Sequence, residues 1–95
     1  MIKRIVKLEI HPQKISEFIS LFKENKSKIS ACEGCLHLEL MQDLNNEKVF
    51  FTYSFWQSEK YLESYRNSAI FHFIWSNAKL LFDDKPLAWS VNEIL

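Results

Sequence analysis

Glycine is nearly missing from this 95-residue chain: Gly34 stands alone, and Pro12 and Pro86 are the only prolines. A chain so poor in the residues of flexible connectors reads as compact and rich in regular elements, which argues against disorder and linkers. Cysteine is also scarce; Cys32 and Cys35 are too few for a disulfide framework. Charge is balanced, with 12 lysines and arginines against 12 aspartates and glutamates. Without a run of like charge there is neither a nucleic-acid footprint nor a polybasic patch, so no nucleic-acid and no membrane partner is expected. No segment approaches the roughly 20 apolar residues of a membrane helix, and the opening stretch MIKRIVKLEI lacks the apolar centre of a signal peptide. The expectation is a soluble, cytoplasmic protein with reduced thiols.

What the chain does have is aromatic and aliphatic patterning. In the first segment Ile2, Val6, Leu8 and Ile10 alternate with Lys3, Lys7 and Glu9, the period of a strand, with Ile5 a hydrophobe on the polar side. Pro12 has the backbone angle suited to a first helical turn, and Ile15, Phe18, Ile19, Phe22 and Ile29 then recur at helical spacing. Gly34 follows where a helix end commonly requires a positive φ. Cys35–Met41 alternates again, with Leu36, Leu38 and Leu40 expected on one side and Cys35, His37 and Glu39 on the other. The turn-forming run from Asp43 to Glu47 leads into the β-branched and aromatic stretch Val49–Trp56, which together predict a hairpin. Ser58 and Ser68 are candidate caps for two short helices, the first with Tyr61, Leu62 and Tyr65, the second with Phe71, Ile74, Trp75, Ala78 and Phe82. A last strand is expected within Leu87–Ile94.

That order, strand, helix, strand, strand, helices, strand, predicts one α+β domain over residues 1–95: a ferredoxin-like split βαβ with a four-stranded antiparallel sheet and helices on one face. The other face is also apolar, because the third strand sets Phe51, Tyr53 and Phe55 on one side and Phe50, Thr52 and Trp56 on the other. A homodimer placed sheet against sheet is the simplest cover for such a face. The alternative is cover by a helix end or the tail of the same chain.

Three stretches, Glu33-Gly34-Cys35-Leu36, Phe55-Trp56-Gln57-Ser58-Glu59-Lys60 and Tyr65-Arg66-Asn67-Ser68-Ala69-Ile70-Phe71, together resemble the antibiotic biosynthesis monooxygenase family of dimeric α+β barrels. The resemblance implies a pocket between sheet and helices that takes a small aromatic or quinol-type molecule, with no cofactor and no metal in many members and haem in some. Departures accompany it. The family's haem degraders carry an asparagine on the first strand, a tryptophan on the helix after strand three and a histidine ligand further along; here the first strand has no asparagine and the corresponding helical positions are Tyr65 and Trp75, which disfavours haem. Where many relatives have a glutamate two residues before the strand-three tryptophan this chain has Ser54, and the helical position that is often histidine is Tyr65.

Tyr65 and His72 are the candidates for proton handling, since a buried phenol needs a partner or a cavity and an imidazole titrates near neutrality. Against this, Tyr65 could be a core residue bonded to a carbonyl, and His72 a half-exposed bystander. Trp56, Trp75 and Trp89 are expected as core anchors or walls for an aromatic ligand, and Asn67 and Arg66 as donors at the helix junction, with a solvated surface role the stronger alternative for Arg66. His37 and Glu39 read as a polar interface pair, and His11 carries no function. Cys32-Glu33-Gly34-Cys35 has C-x-x-C spacing, but it follows a helix C-terminus, whose field opposes thiolate formation, and it lacks further metal ligands. The resemblance, taken with these residues, implies one of two functions: a cofactor-independent monooxygenase for a small phenolic or quinol-type compound, or a catalytically silent dimeric module that binds one.

Overall fold

The computed structural model describes all 95 residues. Its elements run β1 (Ile2–Glu9), α1 (Ile15–Ser30), β2 (Cys35–Gln42), β3 (Val49–Trp56), α2 (Glu59–Arg66), α3 (Ala69–Ala78) and β4 (Leu87–Val91), with single 3-10 turns at Pro12–Lys14 and Lys79–Leu81. The four strands form one antiparallel sheet in the order β2-β3-β1-β4, the split βαβ arrangement, and the helices cover one face. The strands and helices of the sequence reading are thus all present. The last strand is shorter than its pattern, stopping at Val91.

The inner face is set by parity along β1 and β3. Leu8 lies opposite Phe50 and Val6 opposite Thr52, and the core gathers Leu8, Ile10, Phe18, Phe50 and Leu81. Phe18 from α1 meets Phe50 with ring centroids 5.0 Å apart and tilted. Burying a ring of that size removes on the order of 200 Å² from water, an upper bound of about 5 kcal/mol at ~25 cal/mol per Å². On α1 the buried stripe is Phe18, Phe22, Asn25 and Ile29. Ile19, expected inward, is 41% exposed, one helical step off that stripe. Asn25 takes the inward position, and its amide satisfies itself by donating to the Leu21 carbonyl at 2.7 Å.

A bulge corrects the expected faces of β2. Cys35 pairs with Trp56 and His37 with Phe55, so Leu36 is an extra residue with no partner, and it is 56% exposed. The extra residue reverses parity. Cys35 therefore falls on the helix side with Trp56, whereas His37 and Glu39 lie on the outer side, their side chains 3.6 Å apart.

On the outer face stand Ile5, Tyr53, Phe55 and Trp89, with Ile5 directly between Tyr53 and Trp89 in the register. Tyr53 packs edge-on to Phe55 at 5.0 Å, His37 lies 4.8 Å from Phe55, and the Lys3 ammonium sits over the Phe55 ring at 5.0 Å. Met41, Leu87, Trp89 and Val91 are exposed there.

The far end of β1 is tied by backbone and charge. Ile10 N–H donates to the Lys48 carbonyl and Asp83 N–H to that of Glu9, each at 2.8 Å. Lys48 pairs with both Asp83 and Glu9, and its ammonium holds the Asp83 carboxyl below its ordinary range.

Gly34 ends the loop after α1 with φ +84°. A Cβ there would collide with the Tyr61 side chain, so both the backbone angle and the space require glycine. Gly34→Ala is expected to cost about 2–4 kcal/mol, the left-handed backbone plus the overpacking, read as a lower urea midpoint at unchanged slope.

Candidate active site

Between the inner sheet face and the helices lies a cavity of about 100 Å³. Its floor is Val6, Leu8, Leu38, Thr52, Ser54 and Trp56 from the sheet, its roof Phe18, Phe22 and Ile29 from α1 and Leu62, Tyr65, Ile74, Trp75 and Ala78 from α2 and α3. Arg4 and Arg66 complete the lining. The interior is overwhelmingly apolar.

One wall is a run of aromatic rings. Trp56, 1% exposed, stacks on Tyr65 with centroids 5.0 Å apart and planes 22° from parallel. Tyr65 meets Phe71 edge-on at 5.2 Å, and Phe71 stacks on Trp75 at 5.8 Å and 9°. Alternating stacked and edge-on contacts suit the ring quadrupoles and make a stiff surface. Trp56 also explains Ser54: its buried indole N–H donates to the Ser54 Oγ at 3.0 Å, so the serine at this position serves the tryptophan.

Tyr65 is half-buried and lines both the cavity and a shallow depression shared with Cys32, Lys60 and Tyr61. No buried polar side-chain atom in the chain lacks a partner. Burial pushes the Tyr65 phenol well above its ordinary value, and the nearby thiols of Cys32 and Cys35 push it further in the same direction. At neutral pH it is a proton donor and not a base. Burial likewise raises both thiols, the opposite of what a redox pair needs.

Of the seven residues proposed from sequence, the structure brings Tyr65, Trp56, Trp75 and Arg66 together at the cavity and leaves three elsewhere. His72 is exposed, because the inward positions of α3 are Ile74, Trp75 and Ala78 and a residue three before Trp75 falls on the flank, beside Phe71. Asn67 caps α2, its amide donating to the Glu63 carbonyl at 2.9 Å, in the solvent. Trp89 lies opposite Ile5, on the outer face, and is 45% exposed. The residue that sequence reasoning missed is Arg4. Its signal was parity: position 4 shares the inward side of β1 with Ile2, Val6 and Leu8. No group of three or more His, Cys, Asp or Glu comes together in the chain.

A profile of the antibiotic biosynthesis monooxygenase family matches residues 1–73. The chain belongs to that family. As an antibiotic biosynthesis monooxygenase domain it shares its fold with several solved structures. A conserved protein from Methanosarcina mazei Go1 superposes with TM-score 0.93 at 22% identity, covering 98% of this chain and 92% of that one. A putative antibiotic biosynthesis monooxygenase from Nitrosomonas europaea gives 0.92 at 13% identity over 100% of both chains. SnoaB, a cofactor-independent oxygenase from Streptomyces nogalater, gives 0.86 at 11% identity, covering 97% and 91%. Identities this low carry the fold of the family and not a substrate. A comparison with curated proteins returns no match. In this member no helix is long and apolar enough to cross a membrane.

The Tyr65 phenol gives a pH test. Its folded-state value is raised above the usual 10.0, so the folded chain holds this proton more tightly than the unfolded chain does. That stability is fully present below pH 10 and is lost as the pH rises further. Wild type is therefore expected to lose on the order of 1 kcal/mol relative to Tyr65→Phe between about pH 9 and about pH 11, measured by urea unfolding at each pH.

Proposed function

We propose that the chain is a cofactor-independent monooxygenase for a small, single-ring phenol or quinol, acting as a homodimer in the cytoplasm. The observation that supports this best is the apolar cavity walled by Trp56, Tyr65 and Trp75, in a chain of this family. SnoaB, of the same fold, is a cofactor-independent oxygenase.

The chemistry asks little of the protein. An electron-rich phenol, once deprotonated, reduces dioxygen itself. Through its keto tautomer the ring presents a CH2; one oxygen atom of O2 becomes the new C=O, and the other leaves as water with the two hydrogens from that carbon. The substrate supplies every electron. The protein excludes water, stacks the ring and offers Tyr65 as a hydrogen-bond donor to the oxygen that develops charge. A porphyrin does not fit a cavity of about 100 Å³, and none of the three histidines lines it.

A second reading, a silent binding module, is favoured by one observation: the ionisable lining residues are Arg4, Tyr65 and Arg66, and none is a base at neutral pH. An oxygen electrode with a panel of model quinols separates the two. The expected result is protein-dependent uptake that falls about tenfold or more in Tyr65→Phe. Quenching of tryptophan fluorescence by the same quinols, with uptake no faster than in buffer, would establish the silent binder.

The homodimer is proposed from the outer face. Tyr53, Phe55 and Trp89 form a continuous apolar surface with Ile5, and a twofold partner packing its own sheet there removes it from water. His37 and Glu39 then fall at the rim as the polar pair. Sedimentation velocity is expected to give a dimer for wild type and a monomer for Tyr53→Glu with Trp89→Glu. A monomeric wild type at micromolar concentration would remove this part of the reading.

A further inference from the structure

The cavity holds one feature that its apolar chemistry does not explain. Arg4 sits on the inward side of β1, between Ile2 and Val6, where every neighbour along the strand face is aliphatic. A guanidinium placed there by parity needs a partner, and the one it has is neutral: its Nη1 donates to the Ser90 Oγ of β4 at 2.9 Å. No carboxylate pairs with it. On the other side of the same cavity stands Arg66, in the last turn of α2. Arg66 pairs through Nη1 with Glu63 at 2.8 Å, which takes one of its five N–H donors and leaves the rest free. Like charges facing across an apolar space repel. Burial, followed by the charge of Arg66, lowers the affinity of Arg4 for its proton, and Glu63 offsets this only in part.

We propose that Arg4 and Arg66 form an anion subsite at the mouth of the cavity, and that it selects the deprotonated form of a single-ring phenol or enol. This deepens the oxygenase reading, and rests on it for the aromatic ring that fills the cavity. The size of the space supports it. A cavity of about 100 Å³ is smaller than the ~150 Å³ that encloses benzene, so one ring enters with its polar edge left at the opening. The exposed Arg66 marks that opening. With Glu63 as the single carboxylate partner, the two guanidiniums leave net positive charge where the ligand oxygen lies. The subsite also supplies what the lining lacks: a cation pair that lowers the pKa of the bound phenol lets its proton leave to bulk water, and no protein base is required. Tyr65 stands apart from this pair: its hydroxyl is raised by burial first and then by the cysteines, and neither guanidinium acts on it.

The sign of one shift decides the matter. An apolar cavity alone raises the pKa of a bound phenol, as it does for Tyr65, whereas a cation pair lowers it. The probe is 4-nitrophenol, whose phenolate absorbs in the visible and whose neutral form does not; being electron-poor, it is not consumed by dioxygen, so binding is read without turnover. In a pH titration with saturating protein, the bound pKa is expected about one unit below that of free nitrophenol, equivalent to roughly tenfold tighter binding of the phenolate than of the phenol. Arg4→Gln or Arg66→Gln should return it to the free value or above, Arg4→Lys should keep part of the drop, and Glu63→Gln should enlarge it. Arg66 is exposed at a helix end, so its variant remains folded even if Arg4→Gln does not. A bound pKa at or above the free value in wild type, a drop that survives in Arg66→Gln, or the absence of saturable nitrophenolate binding each overturns the proposal. Quinol-dependent oxygen uptake combined with any of these outcomes would leave the oxygenase reading standing and remove the anion subsite alone; a lowered pKa without uptake would do the reverse.

Discussion

Side chains of a β-strand alternate between two faces, and in this sheet that single geometric fact decides almost everything else. The inward Leu8 of β1 and Phe50 of β3, with Ile10 just past β1, meet Phe18 of α1 and Leu81, and that contact holds the domain together. The same alternation sends Tyr53, Phe55 and Trp89 outward, where no helix lies. It also carries Arg4 inward, onto a surface otherwise made for hydrocarbon. Core, outer aromatic face and charged corner are three results of one parity.

The site inherits its stiffness from this frame. Trp56 ends β3, is fixed from below by Ser54 and is covered by the ring of Tyr65, so two neighbouring residues of one strand and one helical side chain lock each other. The rings continue through Phe71 to Trp75 and Phe82 without a gap. Such a wall cannot reshape itself for a larger guest without disturbing the core, because close-packed interiors yield little. The size of the cavity is therefore built into the packing.

Much of the fold was legible in the sequence, because periodicity reports which side of an element is dry. The strands, the long helix and the two short ones were all readable, as was the convergence of Trp56, Tyr65 and Trp75. What periodicity could not report was a change of phase. The extra residue at Leu36 moved Cys35 to the helix side, and nothing in a run of alternating residues marks where a bulge falls. Trp89 was misplaced for a related reason: an aromatic residue on an edge strand fits either face until its register is known. Asn25 and Arg4 were passed over because a polar side chain on an apolar stripe looks like an interruption, although one proved to be a self-satisfied helix residue and the other part of the cavity lining. His72 drew attention by its chemistry, but its neighbours Phe71 and Trp75 had already taken the inward turn of α3.

The lone glycine has reach beyond its own turn. Tyr61 rests on Gly34, and the Gly34 carbonyl accepts the Gln57 N–H at 2.8 Å, so the loop behind β2 props the start of α2 against the end of β3. Tyr65 lies one helical turn further along. The spacing between the roof and the floor of the cavity is thereby governed by a point in the chain outside its lining, so changes in that loop retune the cavity's dimensions while every lining residue stays the same.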